Sequence, residues 1–156
     1  MAPVDMSAAM HAPCSPAALF AEVEDLSGYP AWLTIVPRAE VAVGDDGDEG
    51  PAWIVELRGR IGPLARSKQL RMVRTVHEPG HRVRFERREV DGREHSPWVL
   101  EAVVRPAGEN ESTLQMSLHY GGSFGGSLLE KLLMDEIEAS RPRLAERVAA
   151  VPHDGR

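Results

Sequence analysis

The sequence predicts an α+β fold: a seven-stranded antiparallel sheet wrapped around a long C-terminal helix, with two short helices after strand one. Three observations predict it. A strand-like run, Val4 to Met10, leads into two brief helices that end at Tyr29-Pro30-Ala31-Trp32. Six more strand-like runs follow without an intervening helix. A single helix, from Leu128 onward, then closes the chain. A sheet followed by one long helix buries its apolar face most simply by curling around that helix, with the short helices plugging an end. A hollow left between sheet and helix is a place for a ligand.

Val4, Met6, Ala8 and Met10 alternate with polar residues, the period of a strand. Ser15 before Pro16 starts a helix: a hydroxyl cap, then proline where its missing N–H costs nothing. Leu19, Phe20, Val23 and Leu26 share one helical face, and Gly28 is read as the break. Tyr29 to Leu33 reads as a second turn of helix, and Pro37 ends the region.

The apolar phase of the later strands falls on Val41 and Val43; Trp53, Val55 and Leu57; Leu70, Met72 and Val76; Val83 and Phe85; Trp98, Leu100, Ala102 and Val104; and Leu114, Met116, Leu118 and Tyr120. Two turn signals set register independently. Pro79-Gly80 pairs Val76 with Val83 and Met72 with Arg87. Asp91-Gly92, read as a type I′ turn, pairs Phe85 with Trp98 and Val83 with Leu100. Both place apolar residues of neighbouring strands on one face, which a one-residue slip would not do. In the last helix Ser127 and Glu130 form a capping box. Leu129, Leu132, Leu133, Ile137, Leu144 and Val148 make its stripe, and Pro142 predicts a kink or break.

The 156 residues suit one domain, 1–156, with an ordered core over about 3–150 and loose ends. A net charge of −6, with arginines scattered among acids, argues against nucleic acid as a partner. No apolar stretch suits stable membrane insertion, the start does not read as a signal peptide, and the lone Cys14 fits a reducing cytoplasm.

No metal or cofactor is expected. His77 and His81 are four apart but flank the Pro79-Gly80 turn, so they cannot be a helical ligand pair. Asp45, Asp46, Asp48 and Glu49 lack the order of a calcium loop and read as a solvated hairpin tip. Cys14 has no base near it in sequence and reads as inert. Gly121 to Gly126 lacks Gly-Lys-Ser/Thr and reads as a lead-in to the helix.

Polar residues in the inward phase carry more. Arg74 interrupts the apolar run of strand four, and Arg87 and Glu89 continue the phase of Val83 and Phe85. Two readings stand side by side. Arg87 pairs with Glu89, or an arginine meets an anionic group on a ligand. Tyr120 and Trp98 are core residues that each carry a polar atom.

Ser15-Pro16-Ala17-Ala18-Leu19-Phe20, Asp25-Leu26-Ser27-Gly28-Tyr29-Pro30-Ala31-Trp32 and the glycine-rich approach to the last helix resemble the START-like, or Bet v 1-like, helix-grip superfamily (SRPBCC). More narrowly the chain is similar to its polyketide cyclase/dehydrase and lipid-transport group. The resemblance implies a cavity and covers nearly the whole chain. Its members include lipid carriers, aromatase/cyclases, receptors for hydrophobic ligands and toxin-like proteins.

The expectation is a protein that binds or transports a lipid, polyketide or isoprenoid type of molecule. The residues expected to line or anchor the ligand are Met72, Arg74, Phe85, Arg87, Glu89, Trp98, Leu100, Met116, Leu118, Tyr120, Leu133 and Ile137. The alternatives are a polyketide aromatase/cyclase, with Arg87, Glu89 or Tyr120 moving protons, and an interaction or toxin-like protein with a filled core.

Overall fold

The structure, a computed structural model, describes residues 4–61, 64–122 and 126–149; of these, the side chains of 60, 61, 64–66 and 126–129 are left out of the description. The chain runs β1 (Val4–Ala12), α1 (Pro16–Val23), a 3₁₀ helix (Leu26–Ala31), β2 (Arg38–Val41), β3 (Ala52–Ile61), β4 (Leu64–Glu78), β5 (Arg82–Arg87), β6 (Trp98–Pro106), β7 (Ser112–Tyr120) and α2 (Gly126–Ala149). The strands form one seven-stranded antiparallel sheet, as expected, in the order β1-β7-β6-β5-β4-β3-β2. The sheet is open, with β1 and β2 at its edges.

Period-two alternation sorts the side chains. Trp53 and Val55 of β3, Leu70 and Met72 of β4, Val83 and Phe85 of β5, and Trp98, Ala102 and Val104 of β6 are buried in one core. Leu133, Leu144 and Val148 of α2 join them, with Leu132 and Ile137 packed at the margin. At Gly59 a Cβ would stand 2.6 Å from Leu132 Cδ2, so the missing side chain lets α2 approach β3 closely.

Ser15 caps α1, its hydroxyl accepting from the Ala18 N–H at 3.2 Å, with Pro16 in the first turn. Gly28 is not the break. The helix stops at Val23, and Asp25 starts the next one by accepting from the Ser27 N–H at 2.9 Å. Leu26 and Gly28 therefore belong to the 3₁₀ helix. Tyr29 ties the two helices together: its buried hydroxyl donates to the Val23 carbonyl at 2.9 Å. Burial, helped by the Asp25 charge, pushes that phenol well above its ordinary range.

At Pro79-Gly80 the His81 N–H donates to the Glu78 carbonyl at 3.0 Å, and Gly80 takes the positive φ of 76° that a type II turn needs. Met72 pairs with Arg87 as expected, but Val76 does not pair with Val83. A bulge between Arg74 and Val76 shifts the register nearer the turn, so Val76 pairs with Arg84 and His77 with Val83. The extra residue takes Val76 out of the inner phase. It also brings the His77 ring onto buried Phe20, with centroids 5.9 Å apart.

Asp91-Gly92 is not a tight hairpin. Only Gly92 has positive φ, where a type I′ turn needs two such residues. The Asp91 carboxylate instead accepts from the Arg93 N–H and meets the His95 ring. Phe85 consequently pairs with Leu100 and Val83 with Ala102, an offset of two residues from expectation. An even offset preserves the face, so Phe85 and Trp98 still share the inner side.

Val41 and Val43 do not carry an apolar phase. They are 72% and 89% exposed, and Ala39 is the buried residue of β2, a four-residue edge strand that runs past the core. α2 is not broken at Pro142: it continues to Ala149. Beyond the proline, Arg143 donates to the Thr34 hydroxyl and Arg147 pairs with Glu22 at 2.9 Å, so tertiary ties hold the final turns in place. The Ser127 capping side chain, Leu129, residues 123–125 of the glycine-rich lead-in and the chain ends (1–3 and 150–156) lie outside the described side chains or residues.

The acidic tip between β2 and β3 is not wholly solvated. Buried Arg71 grips Asp48 bidentately at 2.9 and 2.7 Å and donates to the Val43 and Arg88 carbonyls. Those hydrogen bonds hold the Asp48 carboxyl down at about 2. A depressed folded-state pKa contributes stability that is complete above the unfolded value, about 3.9, and lost as pH falls through the folded one. Asp48→Asn should cost about 1–3 kcal/mol at neutral pH by weakening a buried charge-assisted pair. The gap between variant and wild type should close as pH drops from about 4 towards 2, checked by urea unfolding across that range.

Candidate functional site

A hollow lies between the inner face of the sheet and α2. Its walls come from Met6 and Met10 of β1, Trp32, Leu33, Ile35 and Val36 after α1, Val55 and Leu57 of β3, Leu70 and Met72 of β4, Trp98 and Leu100 of β6, and Leu114, Met116 and Leu118 of β7. α2 supplies Leu133, Glu136, Ile137, Ser140, Arg141 and Leu144. The space open to the centre of a water molecule is about 130 Å³. Since roughly 10–15 Å³ of such space admits one water, this is far more than a packing defect. Four methionines, Met6, Met10, Met72 and Met116, line it, and unbranched thioether side chains let a wall adapt to its contents.

Seven of the twelve residues named from the sequence line the hollow: Met72, Trp98, Leu100, Met116, Leu118, Leu133 and Ile137. The other five pack around it. Phe85 is fully buried, edge-on to Trp53 at 5.6 Å and to Tyr29 at 6.3 Å. Tyr120 packs against Trp98, the rings tilted by 33° with centroids 4.5 Å apart. Arg74 lies 5.8 Å over the Trp53 ring and donates to the Glu24 carbonyl at 2.9 Å.

Arg87 and Glu89 form a pair. Arg87, whose side chain is 7% exposed, donates from Nε to Glu89 Oε2 at 2.7 Å and from a terminal nitrogen to the Ser96 carbonyl at 3.2 Å. The same Glu89 oxygen accepts from the Arg71 backbone N–H at 3.1 Å. The pair thus stitches β4, β5 and the loop before β6 together.

Glu136, Ser140 and Arg141 were not read from the sequence. Their spacing from Leu133, Ile137 and Leu144 places them on the same helical face, but their polarity hid them from a search for an apolar stripe. The Trp32 to Val36 segment was also missed, because it is irregular backbone without a period. Nearby, Trp53 Nε1 donates to Asp25 at 3.0 Å. Partial burial works against ionisation of Asp25, but bonds from Ser27 and Trp53 and the charge of Arg74 take its pKa below the ordinary value. Burial pushes the Cys14 thiol up, beside Ser112. Among the described residues no group of three or more His, Cys, Asp or Glu could hold a metal, and no helix is long and apolar enough to cross a membrane.

An open antiparallel sheet that grips one long helix across an apolar hollow defines the helix-grip class of α+β domain. The chain belongs to the polyketide cyclase/dehydrase and lipid transport family, whose model matches residues 3–149. Among solved structures it is similar to a START superfamily protein from Mycobacterium smegmatis, with a TM-score of 0.68 and 19% identity over 93% of this chain and 97% of that one. It is also similar to the Zhui aromatase/cyclase from Streptomyces sp. R1128, with a TM-score of 0.67 and 10% identity over 94% of each chain. Major latex-like protein 151 from Panax ginseng gives 0.63 and 11%, over 94% of this chain and 98% of its own. At these identities the likeness is one of fold. No curated protein matches the sequence.

The geometry around Arg87 separates its two readings. Arg87→Met should lower stability by about 3 kcal/mol, because it leaves the Glu89 carboxylate partly buried and without its cation. Melting curves of variant and wild type check this. Binding of a fatty acid and of its neutral ester should change equally, if at all. A selective loss of the acid would instead make Arg87 a ligand anchor.

Proposed function

We propose that the protein binds a hydrophobic small molecule in the hollow between the sheet and α2. The observation that carries this reading is the hollow itself, whose walls are apolar almost throughout and come from both elements. Filling it with a ligand removes apolar surface from water at roughly 25 cal/mol per Å². The family and the fold of its solved neighbours support the same class of ligand.

Calorimetric titration with naphthalene tests the reading. The wild type should bind saturably. Leu118→Trp, which grows a wall residue into the space, should bind about tenfold more weakly while its circular dichroism stays unchanged, a difference of about 1.4 kcal/mol. Absence of saturable binding by the wild type would contradict the reading and favour an interaction protein without a ligand.

Ring closure of a polyketide chain is a second reading, supported by one observation. Glu136 brings a carboxylate to the lining, where a general base has to stand. Arg87, Glu89 and Tyr120, the residues first considered for this chemistry, lie outside the lining. On this reading Glu136→Gln should lower turnover of a poly-β-ketone by about 10²-fold or more without weakening its binding, measured by product analysis and calorimetry.

A further inference from the structure

The open sheet ends in two edge strands, and they are finished differently. An edge carries a row of unpaired N–H and C=O groups, and native proteins blunt it with charged or polar side chains or cover it. β1 is blunted: its exposed residues include Asp5, Ser7 and His11, and α2 packs against it. β2 is not. Val41, its last residue, is 72% exposed, and Val43 just beyond it is 89% exposed.

The ladder between β2 and β3 shows which main-chain groups are open. The Ala42 N–H donates to the Ala52 carbonyl at 2.8 Å. In an antiparallel ladder, residues bonded to the neighbour alternate with residues whose N–H and C=O point away. Ala42, Glu40 and Arg38 therefore face β3, while Val41 and Ala39 turn their main-chain groups to the free side. Among the described residues nothing bonds to the N–H or C=O of Val41. Charge beside the edge is unpaired too. Arg38, which starts β2, and Asp46, in the tip between β2 and β3, are exposed and have no ion-pair or hydrogen-bond partner among the described residues.

We propose that the β2 edge is a self-recognition surface, to which a second copy of this chain adds its own β2 in antiparallel fashion. A two-fold axis at Val41 sets this residue opposite Val41 of the second copy. The two exchange main-chain hydrogen bonds and cover each other's side chains. In this register Ala39 faces Val43, Glu40 faces Ala42, and Arg38 faces Gly44, beside the acidic tip that holds Asp46. The joint therefore carries an Arg38–Asp46 attraction at each end. Sliding the axis to Glu40 would oppose two carboxylates. Sliding it to Ala42 would call on the Val43 carbonyl, which Arg71 already holds at 2.8 Å. The joint is small, so association is weak and depends on concentration.

Sedimentation velocity of the full chain over about 0.02–1 mM tests this, since mass action favours the pair as concentration rises. The mean mass should climb from one chain towards two. Over the same range the Val41 amide should gain about threefold or more protection from hydrogen exchange. Val41→Lys sets two ammonium groups against each other at the axis and should weaken association about tenfold or more, with the melting curve unchanged because the site is exposed. Arg38→Glu and Asp46→Arg should each weaken it about tenfold. An equimolar mixture of those two variants should recover association, because each mixed pair holds one native and one reversed contact.

A chain that stays single at every concentration would overturn the proposal and leave the edge to a strand of another protein. Dimers that survive Val41→Lys, or that form with the Val41 amide unprotected, would overturn it as well, since they use another face. So would a mixture of Arg38→Glu and Asp46→Arg that associates no better than either variant alone.

Discussion

The distance at which α2 stands from the sheet governs the rest of this molecule. At Gly59 the absence of a Cβ lets Leu132 come close to β3. Near its C-terminus α2 is tied to the α1 region through Arg143 with Thr34 and Arg147 with Glu22. Between these fixed points the helix presents Leu133, Glu136, Ile137 and Ser140, side chains of moderate length, to a curved sheet face. Much of the aromatic volume, in the walls and behind them, is engaged in ring contacts of its own. Trp98 packs against Tyr120, while Tyr29, Trp32, Trp53 and Phe85 pack against one another. The hollow is what remains between a fixed helix and a face whose largest residues are already engaged.

Charge is distributed to leave that space apolar. On the outer face Arg82 and Arg84 share Glu101, and Arg88 meets Glu49 and Glu86. Such half-exposed pairs contribute little stability individually, of the order of 0–1 kcal/mol. Arg71 with Asp48 differs, because both side chains are buried and the guanidinium also holds two carbonyls, pinning two loops to the sheet. Arg87 with Glu89 does the equivalent at the inner margin. Among the described residues of the lining, only Glu136 and Arg141 carry charge.

The legible part of the structure was its period. Alternation along seven strands assigned the inner face correctly wherever each residue had one partner on each neighbour. Even the misjudged Asp91-Gly92 connection did no harm, because an offset of two preserves the face. The bulge at Arg74–Val76 was not legible, since an extra residue in a strand leaves no mark in side-chain chemistry; it took Val76 out of the inner phase and laid the His77 ring on Phe20. Val41 and Val43 misled because alternation reports phase, and says nothing of whether the core extends that far. At the site, apolar lining residues were found and polar ones on the helix were not. A search for an apolar stripe passes over Glu136 and Arg141, the charged residues among the described lining. Arg87 was ambiguous in sequence because Glu89, two residues on along an inward phase, was as good a partner as any ligand.

The central claim is that the hollow is a receptive space. Methyl spectra of protein labelled at the methionine methyls test it most directly. Met6, Met10, Met72 and Met116 line the hollow, and Met134 packs against the core without lining it. Titration with a small hydrocarbon such as tetralin should move the four lining signals together with one saturation curve, and leave Met134 in place. Unchanged lining signals, or a shift confined to Met134, would contradict the account.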